Sequence, residues 1–91
     1  MLNVSTFEDR VMAVMMDLPL LLKSITKSAV VEGKVVLRIE SPPLNLYVVK
    51  DKLISQIREN AHLLNCEVRA QELNINRVPN LFLEFRERVA A

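Results

Sequence analysis

The spacing of apolar residues predicts two helices at the start of the chain. The first should cover residues 6–17, where apolar side chains recur every three or four positions. Its apolar residues are Phe7, Val11, Val14, Met15 and Leu18. Ser5 and Glu8 fit a capping box at its amino end. A second short helix, with Pro19 in its first turn, should run to about Ser28.

The middle of the chain predicts a β-hairpin followed by a long helix. Residues 29–31 and 34–40 are rich in β-branched side chains, and a glycine between two such runs, here Gly33, is typical of a hairpin turn. A helix over residues 44–63 follows, because apolar residues again recur every three or four positions. Its predicted buried stripe is Leu46, Val49, Leu53, Ile54, Ile57, Ala61 and Leu64.

The last part of the chain predicts a strand and a terminal helix. Alternation from Cys66 onward indicates a third strand, with a bulge or bend near Glu72. Residues 76–80 should connect this strand to the terminal segment, Leu81–Ala91. The apolar spacing of that segment fits either a strand or a helix. We predict a short helix, because its glutamates, arginines and alanines are good helix formers.

Together these elements predict a single α+β domain covering residues 1–91. Its expected architecture is a small three-stranded sheet with packed helices, in the order α-α-β-β-α-β-α. Hydrophobic residues make up 51% of the chain, enough for a packed core, and the charged share of 25% argues against disorder.

Charge and cysteine content narrow the expected compartment and partners. The formal net charge of +1 gives no strong overall attraction to nucleic acid or to an anionic membrane. The single cysteine, Cys66, cannot form an intramolecular disulfide, which favours a reducing compartment such as the cytoplasm. We expect no signal peptide, and the apolar run at residues 18–22 is too short to span a membrane.

Few residues are suited to catalysis. His62 and Cys66 have a spacing that would place two metal ligands on one helical turn, but no second pair completes a tetrahedral site. We therefore expect a surface histidine and a buried cysteine. With one glycine in the chain, Walker and dinucleotide-binding motifs are excluded. The prediction is a protein that is not an enzyme, with no catalytic residue, cofactor or metal.

Two groups of apolar residues are candidates for partner binding. Met12 and Met16 share a side of the first helix that is offset from its buried stripe. Leu81, Phe82 and Phe85 lie close together near the end of the chain. Either group fits core packing or contact with a partner. We favour a non-enzymatic protein–protein adaptor, with a self-assembling subunit, and hence a homo-oligomer, as an alternative.

Four basic residues are candidates for weak nucleic-acid contact. Lys23 and Lys27 are one helical turn apart, and Lys34 and Arg38 lie on one side of a predicted strand. Such a set suits phosphates, but acidic residues are interleaved and aromatic residues for base stacking are scarce. A mixed, solvated surface is therefore favoured, and a nucleic-acid-binding module stays an alternative.

One stretch resembles a KH-like β-α-β unit of bacterial replication proteins. The resemblance rests on EGKVVLRIESPPL at residues 32–44, KDKLI at 50–54 and EVR at 67–69. This pattern is similar to the DciA family of replicative helicase operators and to the C-terminal domain of the tau subunit of the DNA polymerase III clamp loader. The resemblance implies a KH-like fold and an adaptor that binds a polymerase or helicase subunit, with some affinity for DNA. A G-x-x-G loop for clamping RNA is excluded by the single glycine.

Overall fold

The computed structural model describes residues 6–31 and 33–88, without the side chains of residues 61–64. These residues form helices and strands in an α+β arrangement. In chain order the elements are α1 (Phe7–Met16), α2 (Pro19–Ser24), β1 (Lys27–Val31), β2 (Lys34–Glu40), α3 (Leu44–Leu64), β3 (Cys66–Ile75) and β4 (Val78–Glu87). None of the described helices combines the length and apolar character needed to cross a membrane.

The first two helices differ in their bounds from the prediction. α1 begins at a capping box one residue later, in which Thr6 Oγ1 accepts from the backbone N–H of Asp9 at 3.1 Å. The Asp9 carboxylate accepts from the backbone N–H of Thr6 at 3.4 Å, so two N–H groups left free by the first turn are satisfied. The predicted cap, Ser5, lies outside the described residues. α2 ends at Ser24, earlier than predicted, because Lys27–Val31 pairs with β2 as a strand.

The predicted β1–β2 hairpin and the long helix α3 are confirmed. Val31 pairs with Lys34 across the turn, and Gly33 in that turn has a φ of 75°. Glycine adopts a positive φ at little cost because it has no Cβ. The local signal for a turn therefore identified the correct position.

The four strands form one antiparallel sheet in the order β1-β2-β4-β3. The predictions of three strands and a terminal helix are therefore wrong: the terminal segment is β4, and the order of elements is α-α-β-β-α-β-β. β4 pairs with β2 on one side and β3 on the other, and this pairing outweighs a helix propensity worth only tenths of a kcal/mol per residue, about 0–0.7. The KH-like fold implied by the resemblance is not confirmed.

The β3–β4 hairpin is regular along its whole length. Its pairing runs without interruption from Cys66 to Ile75, so the bulge predicted near Glu72 is absent. Asn76 and Arg77 form the connecting turn with φ values of 53° and 66°. Positive φ at both central residues is the conformation that suits the twist of a two-residue hairpin. The predicted connection at residues 76–80 is thus reduced to its first two residues.

The helices cover one face of the sheet and form the core with it. On that face, residues of β2 pair with residues of β4 and are at most 2% exposed. These residues are Val35, Leu37, Ile39, Leu81, Leu83 and Phe85. Among the helical residues that pack against them are Val11, Met15, Leu21, Leu46 and Ile57. No described helix covers the opposite face, which includes Val36 and Arg38 of β2 and Phe82 and Glu84 of β4; we call it the open face.

Candidate functional site

The apolar residues predicted from the sequence to bind a partner differ in their burial in the structure. Leu81 and Phe85 face the core and are 2% and 0% exposed, so they form no surface. Met12 packs against the same core, whereas Met16, at the end of α1, is 71% exposed. Phe82 lies on the open face and is half-buried. Leu81 and Phe85 are therefore core residues and not the surface residues that the sequence suggested, because alternate residues of a central strand point into the core.

Three of the four nominated basic residues lie on one surface. Lys34 and Arg38 lie on the open face of β2, and Lys27 lies on the same face because it pairs with Arg38. Lys23 is in the last turn of α2, away from this face. Lys27 begins β1 instead of continuing a helix from Lys23, so the predicted helical pair does not form.

A group of exposed apolar side chains lies where α3 begins and β3 ends. Leu44, Tyr47 and Val48, in the first turns of α3, are 79%, 44% and 75% exposed. Leu73 and Ile75, near the end of β3, are 42% and 38% exposed. We call these five residues the apolar end surface.

A cleft of about 210 Å³ joins the helical and strand parts of the apolar end surface. Tyr47 lines it from α3 and Leu73 from β3, and Pro42 and Pro79 also contribute. The backbone N–H of Ser41 donates to the carbonyl oxygen of Pro79 at 2.8 Å, which fastens the segment before α3 to the β3–β4 hairpin. The cleft is therefore built on elements held together by backbone hydrogen bonds.

Polar contacts inside the cleft orient Tyr47. Lys50 Nζ lies 2.6 Å from Glu72 Oε1 and 3.4 Å from Asp51 Oδ1. The Tyr47 hydroxyl donates to Glu72 Oε2 at 3.4 Å, and Lys50 Nζ lies 5.1 Å from the centroid of the Tyr47 ring. The hydrogen bond to Glu72 raises the pKa of Lys50 above its ordinary value of 10.5, so Lys50 is charged at neutral pH.

Chemically reactive groups are sparse in the part of the chain that the structure describes. No group of three or more His, Cys, Asp or Glu residues there is placed to hold a metal ion. Cys66 is 3% exposed, and burial raises the pKa of its thiol above 9.0, which keeps it protonated at neutral pH. The side chain of His62 lies outside the described residues. The candidate site therefore consists of a cleft and exposed apolar side chains.

The apolar end surface was not among the residues nominated from the sequence, although a signal for it existed. The predicted buried stripe of α3 began at Leu46 and left out Leu44, Tyr47 and Val48. Five of the six residues from Leu44 to Val49 are apolar. Because a helix buries one stripe against a core, this density requires some of these residues to face solvent.

Comparisons of the chain with protein-family models, with curated proteins and with solved structures gave no match. The fold and the site define the class: an α+β domain with helices on one face of a four-stranded antiparallel sheet and an apolar surface at one end. One fold hosts many functions, so the site, and not the fold, determines what the domain does.

Proposed function

We propose that the protein is a non-catalytic adaptor that binds a protein partner through the apolar end surface. The observation that carries this proposal is the concentration of exposed apolar side chains. Of the eight large apolar residues exposed in the described part of the chain, five belong to this surface. Exposed apolar area is unfavourable in water, and several such side chains at one end of a domain are typical of surfaces that a partner covers.

The size of the cleft favours a protein partner over a small molecule. Small-molecule sites usually enclose about 300–1,000 Å³. The cleft has about 210 Å³, and its charged residues, Lys50 and Glu72, are already paired with each other. This volume suits one apolar or aromatic side chain of a partner, an anchor that typically supplies much of the binding energy of an interface.

Tyr47 is the residue of this surface best suited to a central contact. Tyrosine is enriched among the residues that dominate binding energy, because it combines a large apolar ring with a polar hydroxyl. The hydrogen bond to Glu72 and the contact with Lys50 restrict its ring before binding. A restricted side chain loses less conformational entropy when the partner docks.

The resemblance to the tau and DciA proteins supports a replication polymerase or helicase subunit as the first partner to test. A second copy of the chain is the alternative occupant, because an apolar surface that lacks charge selectivity also suits self-association. Sedimentation velocity over a wide range of protein concentration distinguishes the two: a concentration-dependent mass indicates a second copy.

Two variants at separate exposed apolar positions test the proposal. Val48→Asp changes the apolar end surface, and Met16→Glu makes a similar change at the end of α1, where Met16 is 71% exposed. Each immobilised variant and the unaltered protein would be incubated with a bacterial lysate, and the retained proteins identified by mass spectrometry. We expect a specific partner to be retained by the unaltered protein and by Met16→Glu, but lost with Val48→Asp.

The outcomes separate the two apolar surfaces. A partner lost with Met16→Glu and retained with Val48→Asp would place the interface on α1, as the sequence suggested. A partner insensitive to both variants, or no specific partner together with a constant monomeric mass, would contradict the adaptor proposal. Circular dichroism of each variant checks that binding is compared between folded proteins.

A further inference from the structure

A row of paired residues crosses the middle of the open face. Lys27 of β1 pairs with Arg38 of β2, which pairs with Phe82 of β4. Phe82 pairs in turn with Gln71 of β3. Directly paired residues of antiparallel strands point to the same side of a sheet, so two cations, an aromatic ring and an amide lie side by side.

Basic residues outnumber acidic residues on the open face. The basic residues are Lys27, Lys34, Arg38, Arg69 and Arg86, and the acidic residues are Glu40, Glu67 and Glu84. The remainder of the described chain carries seven residues of each sign. The excess of positive charge in the described chain is therefore located on this face, although the net charge of the whole protein is small.

Internal ion pairs leave part of this positive charge available. Glu84 Oε1 lies 3.0 Å from Lys34 Nζ and 3.8 Å from Arg86 Nη2, so one carboxylate is shared by two cations. Among the described residues, neither Lys27 nor Arg69 forms an ion pair, and both are exposed. Arg69 is paired across the strands with Glu84 and, besides the hydrogen bond from Lys34, helps to lower the pKa of that carboxyl group, so Lys27 is the more available of the two cations.

Phe82 lies in a shallow depression of about 200 Å³ in the open face. Its other lining residues are Arg69, Gln71 and Leu73 of β3, Val36 of β2 and Glu84 of β4. Arg69 and Gln71 supply a guanidinium group and an amide, which can donate to the acceptor atoms of a ligand lying on the ring. The depression therefore combines apolar and aromatic side chains with polar groups that include one carboxylate.

A buried polar residue holds Arg38 over the Phe82 ring. Arg38 Nε donates to Asn80 Oδ1 at 2.8 Å, and the Arg38 guanidinium carbon lies 5.9 Å from the centroid of the Phe82 ring. Asn80 is only 2% exposed, and its Nδ2 donates to the carbonyl oxygen of Val78 at 2.9 Å. Asn80 is thereby fixed and restricts the guanidinium group of Arg38 to a position over the aromatic ring.

We infer that the open face binds single-stranded nucleic acid, with an unpaired base stacked on Phe82 and phosphates bound by Lys27, Arg38 and Arg69. Stacking on an aromatic side chain beside cations that follow the phosphate backbone is how sheet surfaces bind single strands. Gln71, directly opposite Phe82, can exchange hydrogen bonds with the edge of the stacked base. Leu73 lines both this depression and the cleft of the apolar end surface, so the two surfaces meet at β3, whereas Tyr47 of α3 lines only the cleft.

The central aromatic ring distinguishes this ligand from other polyanions. An acidic peptide would use the cations and would gain nothing specific from Phe82. A DNA duplex keeps its bases stacked inside and therefore offers no free base face to Phe82. An unpaired strand uses both the cations and the ring.

Fluorescence anisotropy with labelled oligothymidine and oligouridine tests the inference across a series of salt concentrations. Phe82→Leu keeps an apolar side chain but removes the ring, and we expect it to weaken binding roughly tenfold. Lys27→Gln combined with Arg69→Gln should lower the slope of log affinity against log salt by about 1.4, since each phosphate contact to a single strand contributes about 0.7. Lys52→Gln, an exposed charge change on α3, should alter neither quantity.

Several results would overturn the inference. Absence of binding to both oligonucleotides at high micromolar protein is one, and tighter binding of a duplex of equal length is another. If the protein binds polyglutamate as tightly as the oligonucleotides, and Phe82→Leu does not weaken oligonucleotide binding, the face binds polyanions in general. If Phe82→Leu fails to fold by circular dichroism, the comparison of Lys27→Gln/Arg69→Gln with Lys52→Gln decides. Val48→Asp, which alters the apolar end surface, should bind oligonucleotide as tightly as the unaltered protein. The oligonucleotide measurements can therefore be interpreted even if the adaptor proposal fails.

Discussion

β4 and the start of α3 have a similar density of large apolar residues but bury them to opposite extents. In β4, Leu81, Leu83 and Phe85 are at most 2% exposed. In α3, Leu44 and Val48 are 79% and 75% exposed. Apolar density along a sequence therefore does not identify an interface.

The difference follows from the geometry of the two elements. β4 is central in the sheet, with β2 and β3 on its sides and helices on one face, so every second residue is enclosed. α3 packs one stripe against the core, and apolar residues outside that stripe stay in solvent. The first cluster stabilises the fold, and the second is available for binding.

The largest expected effect is that of Phe85→Ala. Phe85 is fully buried, and removing a buried phenylalanine ring costs about 3–5 kcal/mol of stability, from lost burial and the cavity left behind. Urea unfolding followed by circular dichroism measures this difference. If Phe85→Ala stays well folded and its free energy of unfolding falls by less than about 1 kcal/mol, β4 would again be a candidate interface.

Phe82→Ala, in the same strand, should have a smaller effect. Phe82 lies on the open face and is only partly buried, so a smaller loss is expected, roughly 2 kcal/mol. Measuring both variants under the same conditions compares the two faces of one strand directly. Equal losses would mean that the open face is covered by further parts of the protein.

A still smaller effect is expected for Glu84→Gln, and it should depend on pH. The hydrogen bond from Lys34 lowers the pKa of Glu84 below its ordinary value of 4.5. Because the pKa is lower in the folded state, the stabilisation is complete above the unfolded pKa and is lost as pH falls through the folded pKa. At neutral pH we expect a loss below about 1 kcal/mol, since the pair is accessible to solvent.

Stability curves of Glu84→Gln and the unaltered protein at several pH values check this prediction. The two free energies of unfolding should converge as the pH falls from the unfolded pKa of Glu84 through its lower folded pKa. A Lys34→Met variant provides the matched control, because it removes the same hydrogen bond from the other side. A difference that stays constant with pH would assign the effect to packing and not to the ion pair.

The smallest change in stability is expected for Val48→Asp. Val48 contributes little to the core, and changes at exposed positions usually stay within about 0.5 kcal/mol. An acidic residue near the amino end of α3 is also favoured by the helix dipole. Thermal unfolding measures the change. A loss above about 2 kcal/mol would show that the side chain is buried in solution, and the contrast with β4 would disappear.

Local physical preferences allowed several elements to be predicted from the sequence alone. The turn at Gly33, the alternation of β2 and the long helix α3 depend on neighbouring residues, and the structure confirms them. Helix bounds shifted where capping was ambiguous: Thr6 and Asp9 form the box in place of Ser5 and Glu8.

Tertiary structure decided the identity of the terminal segment and both candidate surfaces. Helix propensity favoured a helix from Leu81 onward, but pairing with β2, far away in sequence, made it a strand. The same pairing placed Phe82 beside Arg38 and buried Phe85. Which apolar residue is enclosed and which cations share a face depend on contacts between distant segments, and those contacts are absent from any local pattern.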